Sequence, residues 1–250
     1  MQKYEVQVEL YTRYFFKVML DNISVMIYTV GLPLFFLVLN LKDDLFKSQS
    51  LAQFTGHVMP FVAWIIMSNT IVQVGEVVLL REQGYLKQYA SLVVNPSVFI
   101  VSKALVNLGI LVVILGLVAG LSMALFQLAF WTVLWRLLAV LLLVSVPIWG
   151  YCLPILSFRM RYQTVNGVIN VVTLAVMLGS AAVGNWLNVA TTNVFANVLS
   201  PVYLVLNCFD VLVTGAWGTF LPGYLVALVS LSAIGWFSYR RLQLLPAEGL

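Results

Sequence analysis

Between Lys103 and Arg136 the chain carries no charged side chain, and the same holds from Arg161 to Asp210 and from Asp210 to Arg240. Such runs outlast the roughly 20 residues a helix needs to cross a bilayer. A soluble fold has no means of hiding them. Of the 250 residues, 62% are hydrophobic and 9% charged, with a mean hydropathy of +1.01, against about half apolar and about a quarter charged in soluble domains. The chain therefore reads as an integral membrane protein. The net charge of +4 is spread over scattered Lys and Arg residues, which argues against nucleic acid as a partner. Cys152 and Cys208 show no metal-ligand spacing, and the topology below sets them too far apart for a disulfide.

Taken in order, residues 1–21 repeat Tyr4, Val8, Tyr11, Phe15 and Val18 at steps of three or four, the period of one helix face. Glu9 and Arg13 are spaced for an i,i+4 ion pair. This predicts an amphipathic interface helix, with Asp21-Asn22 as a cap before the first span. No cleavage pattern follows the first apolar run, so that run is expected to act as an uncleaved insertion signal.

Six transmembrane helices are predicted, at 23–41, 58–80, 104–126, 131–157, 164–183 and 218–239. Pro33 suggests a kink in the first. Gly116 and Gly120 form a small-xxx-small pair in the third. His57 falls in the loop after the first span. The apolar run from Val202 to Val213 is too short to span, and reads as a re-entrant or interfacial element before span 6. The fold class is thus an all-α membrane protein forming one transmembrane domain.

With both termini cytoplasmic, ten Lys and Arg residues fall inside and three outside, the positive-inside pattern. That puts the charged insert from Glu76 to Lys103 on the cytoplasmic side. Within it, Gly84 permits a turn after Arg81-Glu82-Gln83. From Tyr85 a short amphipathic helix is predicted to lie flat until Asn95-Pro96 ends it. A coupling segment at 81–96 thus joins spans 2 and 3.

Chemistry is sparse. The sequence has one histidine, no HExxH, no GxSxG and no Gly-Lys dipeptide of a phosphate loop. An enzyme lacks a nucleophile here, and no cofactor is expected in the chain itself. Two polar stripes do stand out: Asn69, Gln73 and Glu76 in span 2, and Asn166, Asn170 and Thr173 in span 5, each at i, i+4, i+7. Polar groups in hydrocarbon either bond across helices or line a water-filled path, and the spacing leaves both readings open. Glu76, near a span end, is expected to reach back to water.

The order Arg81-Glu82-Gln83-Gly84, then Pro96-Ser97 and a lysine opening the next span, resembles the permease subunits of type-2 ABC transporters. The likeness extends to the N-terminal interface helix, the six spans, the basic turn Phe158-Arg159-Met160-Arg161 and the re-entrant element. It implies a multi-pass bacterial plasma-membrane subunit that dimerises with a second permease copy, identical or paralogous. Each half docks on a separate ABC ATPase that binds ATP and Mg. Arg81, Glu82, Gly84, Tyr85 and Lys87 would form the ATPase-coupling contact. Asn69, Gln73, Asn166, Asn170 and Thr173 would line the translocation path. Small outer loops lean toward export of a drug, peptide or lipid-linked molecule. The competing reading is an ion-coupled secondary transporter or channel, which would show mid-span ionisable groups or inverted repeats.

Overall fold

The computed structural model describes residues 2–21, 23–41, 46–86, 93–158, 160–187 and 189–242. Among them there are helices and no strands. Five helices are long and apolar enough to cross a membrane. They are α4 (Met59–Glu82), α5 (Ser97–Phe126), α6 (Phe130–Cys152, extended by a 3₁₀ turn Leu153–Ser157), α7 (Tyr162–Leu187) and α10 (Trp217–Arg240). Around them lie α1 (Gln2–Asp21), α2 (Ile23–Asn40), α3 (Leu51–His57), α8 (Val194–Leu199) and α9 (Pro201–Thr214). Within α2, residues Ile27–Asn40 form a shorter apolar stretch, and the helix runs on through Pro33.

The centre of the packing is α4, on which α2, α5, α7 and α9 all rest. Its polar residues face neighbours rather than lipid, and most of its length is buried. The N-terminal helix packs along the first turns of α5, where the Tyr11 and Phe99 rings meet edge to face at 5.0 Å. The predicted face holds at Tyr4, Val8, Tyr11 and Phe15, but Val18 is exposed and Met19 is buried in its place. The side chain a helix buries shifts where the partner surface ends, and here Met19 reaches Gln73. The predicted Glu9–Arg13 pair forms at 2.6 Å, well exposed.

Several boundaries move. The third span begins at Ser97 rather than at residue 104, because Asn95 Oδ1 accepts from the Ser97 N–H at 2.9 Å and starts the helix early. Part of the loop assigned to His57 is α3, held by a capping box between Ser50 and Gln53. The 202–213 run is α9, fourteen residues long. It is capped by Ser200 at one end and by Gly215 at φ +74° at the other. Its buried face packs on α4 and α6, with Phe209 against Phe54 of α3 at 5.5 Å. Cys152 and Cys208 are both buried and free. Asn22, Lys42, Asp43, Asp44 and Arg159 lie outside the described residues.

The glycines that permit close approach are not the predicted ones. A Cβ on Gly116 or Gly120 would meet nothing within 4 Å, whereas one on Gly150 would stand 2.2 Å from the Leu231 carbonyl oxygen. One on Gly235 would stand 2.8 Å from the Gly150 Cα. Gly150 and Gly235 therefore set the crossing of α6 on α10. Gly150→Ala is expected to cost about 1–3 kcal/mol by forcing backbones apart. Gly116→Ala is expected to be neutral or to stabilise by up to about 1 kcal/mol. Thermal unfolding in detergent compares the two, and equal effects would refute the assignment.

One end of the molecule collects the charges. Tyr4 bonds to Ser97 at 3.0 Å, and Tyr239 donates to Asn95 Oδ1 at 2.7 Å. The beginning of α1 and the end of α10 therefore lie at the same end, beside the start of α5. Residues 46–57 sit at the opposite end, where Gln49 N–H donates to the Phe126 carbonyl. There Arg136 donates to the carbonyls of Leu212 and Thr132, tying α6 to the last turn of α9.

Candidate functional site

Two arrangements stand out, a clamp at the charged end and a cleft that rises from it. The clamp begins where α4 ends. Arg81 is 2% exposed. Its guanidinium donates to the carbonyl of Phe158 at 2.9 Å and to that of Met160 at 2.8 Å. A planar fork suits two carbonyls on one turn. Glu82 accepts from the Tyr162 backbone N–H at 2.5 Å. Tyr162 is the first residue of α7, so a carboxylate from α4 caps the positive end of another helix. Gly84 then turns the chain with φ +75°, a conformation that favours glycine. Tyr85 is exposed and Leu86 buried.

The five residues expected to form an ATPase contact thus separate. Arg81 is internal and Glu82 half-buried, both spent on the 158–162 turn; Gly84 shapes the chain; Tyr85 is on the surface. Lys87, and the flat helix expected around it, lie outside the described residues.

The cleft runs between α2 and α7. Both pack on α4 but make no extensive contact with one another. Its inner part is a cavity of about 370 Å³ lined by Thr29, Ser68, Glu76, Tyr162, Asn166, Asn170 and Thr173 among others. Its outer part, about 920 Å³, extends past Phe36, Phe61 and Leu178 to His57 and Thr191. The two share Tyr28, Leu32, Trp64 and Leu174. From Pro60 to Glu76 the floor covers ~24 Å of α4 at 1.5 Å per residue, most of the ~30 Å hydrocarbon core.

Of the two polar stripes, that of α7 lies along the cleft as a whole, and that of α4 reaches it only at Glu76. Asn166 and Asn170 are exposed in it, and the Thr173 hydroxyl is buried with no partner among the described residues. Asn69 instead donates to the Ile65 carbonyl at 2.9 Å and accepts from Thr29 at 3.2 Å, holding α2 to α4. Gln73 faces α1, with its amide nitrogen 3.6 Å from the Met19 sulfur. The polar lining from α4 comes from Ser68 and Glu76, and at Gly75 the Ile169 side chain of α7 reaches α4, its Cδ1 2.6 Å from where a Cβ would stand.

Glu76 does not turn back to water as its place near a span end suggests. It forms an ion pair with Lys103 of α5, whose side chain is 2% exposed against 17% for Glu76. The Lys103 ammonium also lies 4.5 Å from the centre of the Phe15 ring of α1. Beside it, Asn107 donates to Thr70 at 2.9 Å. The pair was hidden in the sequence because its partners belong to different spans. The usable signal was that both are charged residues close to helix ends that face each other across the 76–103 insert.

The inner cavity therefore presents one carboxylate, backed by a buried cation, among hydroxyls, amides and aromatic rings. Among the described residues no group of three or more His, Cys, Asp or Glu side chains could hold a metal ion. No family model, no curated protein and no solved structure matches this chain.

Proposed function

We propose that the chain is the permease subunit of a type-2 ABC exporter. It would move a drug, peptide or lipid-linked molecule out of the cell, with energy from a separate ATPase that holds the ATP and Mg. The observation that carries this reading is the clamp. Arg81 and Glu82, the last two residues of α4, join its end to the turn before α7 and to the first residue of α7, and α7 is a wall of the cleft. A push on residues 83–96 from a cytoplasmic partner then moves that wall directly.

In this reading the charged end is cytoplasmic, and α2 is the sixth crossing alongside the five longer helices. The start of α1 and the end of α10 lying at one end of the bundle favours an even number of crossings between them. A second copy, identical or paralogous, would cover the open side of the cleft, where Tyr28, Leu174 and Leu178 are well exposed. Asn166, Asn170 and Thr173 would line the path. Asn69 and Gln73 would serve packing.

Co-purification with an ABC ATPase, followed by substrate-stimulated ATP hydrolysis in liposomes, tests the function. The path is tested by single cysteines, since the native Cys152 and Cys208 are buried. Cysteines at Asn166 and Asn170 are expected to react with a water-soluble thiol reagent, and one at Gln73, 5% exposed, to stay inert. Labelling at residue 73 as fast as at residue 170 would break this assignment.

One observation favours the second reading, an ion-coupled transporter. Glu76 is an ionisable group within a candidate span, faces the cleft and has a named partner. Transport that persists without ATPase but collapses when the proton gradient is dissipated would select it.

A further inference from the structure

The inner cavity of the cleft meets charge of one sign. Among the described residues that line its two parts, Glu76 is the only Asp, Glu, Lys or Arg, and His57 stands at the far mouth. Lys103 does not cancel what the cavity meets. It takes the Glu76 oxygen Oε2 from the side of α5, is 2% exposed, and forms no part of the lining. The other oxygen, Oε1, accepts no hydrogen bond among the described residues, and it is not sealed off as the buried unpartnered atoms are. The pair is therefore a dipole whose negative end faces the cavity, while its positive end is held against the Phe15 ring. Between apolar walls such a field is weakly screened.

Two amides stand on the facing wall. Ile169 of α7 lies against Gly75, so Glu76 is near the level of residue 169. Asn166 and Asn170 fall within about 5 Å of that residue along the helix axis, and both line the cavity. They are exposed and make no hydrogen bond among the described residues. Amides left without partners at membrane depth are costly unless something enters to meet them.

The chemistry of these groups selects a ligand. A carboxylate oxygen on one wall and amide oxygens on the other suit a protonated amine, which brings three N–H donors and no acceptor. An anion would be repelled by the carboxylate. A metal ion would want a fuller set of oxygen ligands, and no group of three acidic or imidazole side chains is present among the described residues. Away from Glu76 the cavity runs on past Tyr28, Leu32, Trp64 and Leu174 into the outer part of the cleft. That lining suits an apolar or aromatic body attached to the amine.

We propose that the inner cavity is a binding site for an organic amine, its ammonium held by Glu76 with Asn166 and Asn170 and its apolar body lying toward Trp64. The inference rests on the cleft being the translocation path, and it names the class of molecule that enters. Binding is measured on the chain alone, without an ATPase, so either reading can fail while the other stands.

Three fluorescent probes that share a dansyl body test it. Dansylcadaverine ends in an ammonium, its N-acetyl derivative is neutral, and dansyl-aminohexanoate ends in a carboxylate. Each is titrated into the full chain in a maltoside detergent, with protein-free micelles as the blank. Dansylcadaverine is expected to bind about ten-fold tighter than either of the others, as for one hydrogen bond to an ionised group. Asn166→Leu and Asn170→Leu are each expected to weaken it about five-fold, as for one neutral acceptor lost. Glu76→Leu with Lys103→Met is expected to bring it down to the affinity of the acetylated probe. Circular dichroism melting shows which variants are folded, and the two asparagine variants, which break no hydrogen bond of the fold, keep the test open if the double variant is not. Equal affinity for the three probes, or wild-type affinity in both asparagine variants or in a folded double variant, would overturn the proposal. So would displacement of dansylcadaverine by sodium chloride but not by choline chloride at equal ionic strength, which would make this a site for a small metal ion.

Discussion

Glu76→Leu is expected to destabilise the protein by about 3–5 kcal/mol, the cost of stranding one member of a buried ion pair. Lys103 is 2% exposed and has no route to water. Without the carboxylate it keeps, among the described residues, the Phe15 ring, and a cation–π contact supplies about 0.5–2 kcal/mol. Lys103→Met is expected to cost less, because the orphaned Glu76 still opens onto the cleft and can be hydrated there. The double variant, Glu76→Leu with Lys103→Met, is expected to recover most of the loss, since an apolar pair of similar volume removes the desolvation of both charges. Thermal unfolding of the four proteins in one detergent closes the cycle. Additive costs in the double variant would mean that the two residues do not act as a pair. The same set bears on function. If the carboxylate serves only to hold α4 against α5, the double variant should transport as the wild type does.

That pair also shows what a single sequence exposes and what it hides. Membrane character, helix type and the approximate place of five crossings follow from the length of uncharged runs, because a bilayer imposes length and composition on each helix separately. The turn at Gly84 rests on local backbone chemistry and was equally legible, whereas the third span, predicted from 104, starts at Ser97. Inter-helix partners were not legible. Asn69, Gln73 and Glu76 share one stripe at helical spacing, yet their neighbours are α2, α1 and α5 respectively. Periodicity names a face of a helix but not what meets it, and a central helix such as α4 meets several partners at once. The glycines illustrate the same limit. Gly116 and Gly120 carry a recognised spacing, yet a Cβ on either would meet nothing within 4 Å, while Gly150 and Gly235 lie on separate helices and meet each other. Capping of α7 by Glu82 likewise links residues eighty apart, beyond the reach of any local motif.

Arg81→Met is expected to remove transport and to destabilise the charged end by about 3–5 kcal/mol. Two hydrogen bonds from an ionised donor are lost, each worth about 1.5–3 kcal/mol, and the carbonyls of Phe158 and Met160 lose their partner. Loss of stability alone would explain an inactive Arg81→Met, so the informative variants are milder. Arg81→Lys keeps the charge but has no rigid fork to hold two carbonyls at once. Glu82→Gln keeps an acceptor for the Tyr162 N–H but withdraws the negative charge from the end of α7, worth about 0.3–1 kcal/mol. Both are expected to insert and melt near the wild type. If the clamp carries motion from residues 83–96 to α7, both should slow transport while the partner ATPase still binds. ATP hydrolysis would then continue without its stimulation by substrate. Glu82→Arg, which sets a cation against the first N–H groups of α7, should uncouple the two completely. Wild-type transport in Glu82→Arg would show that α7 needs no tether to α4 through Glu82. The cleft wall would then have to be moved from elsewhere, and the exposed Tyr85 would be the next residue to change.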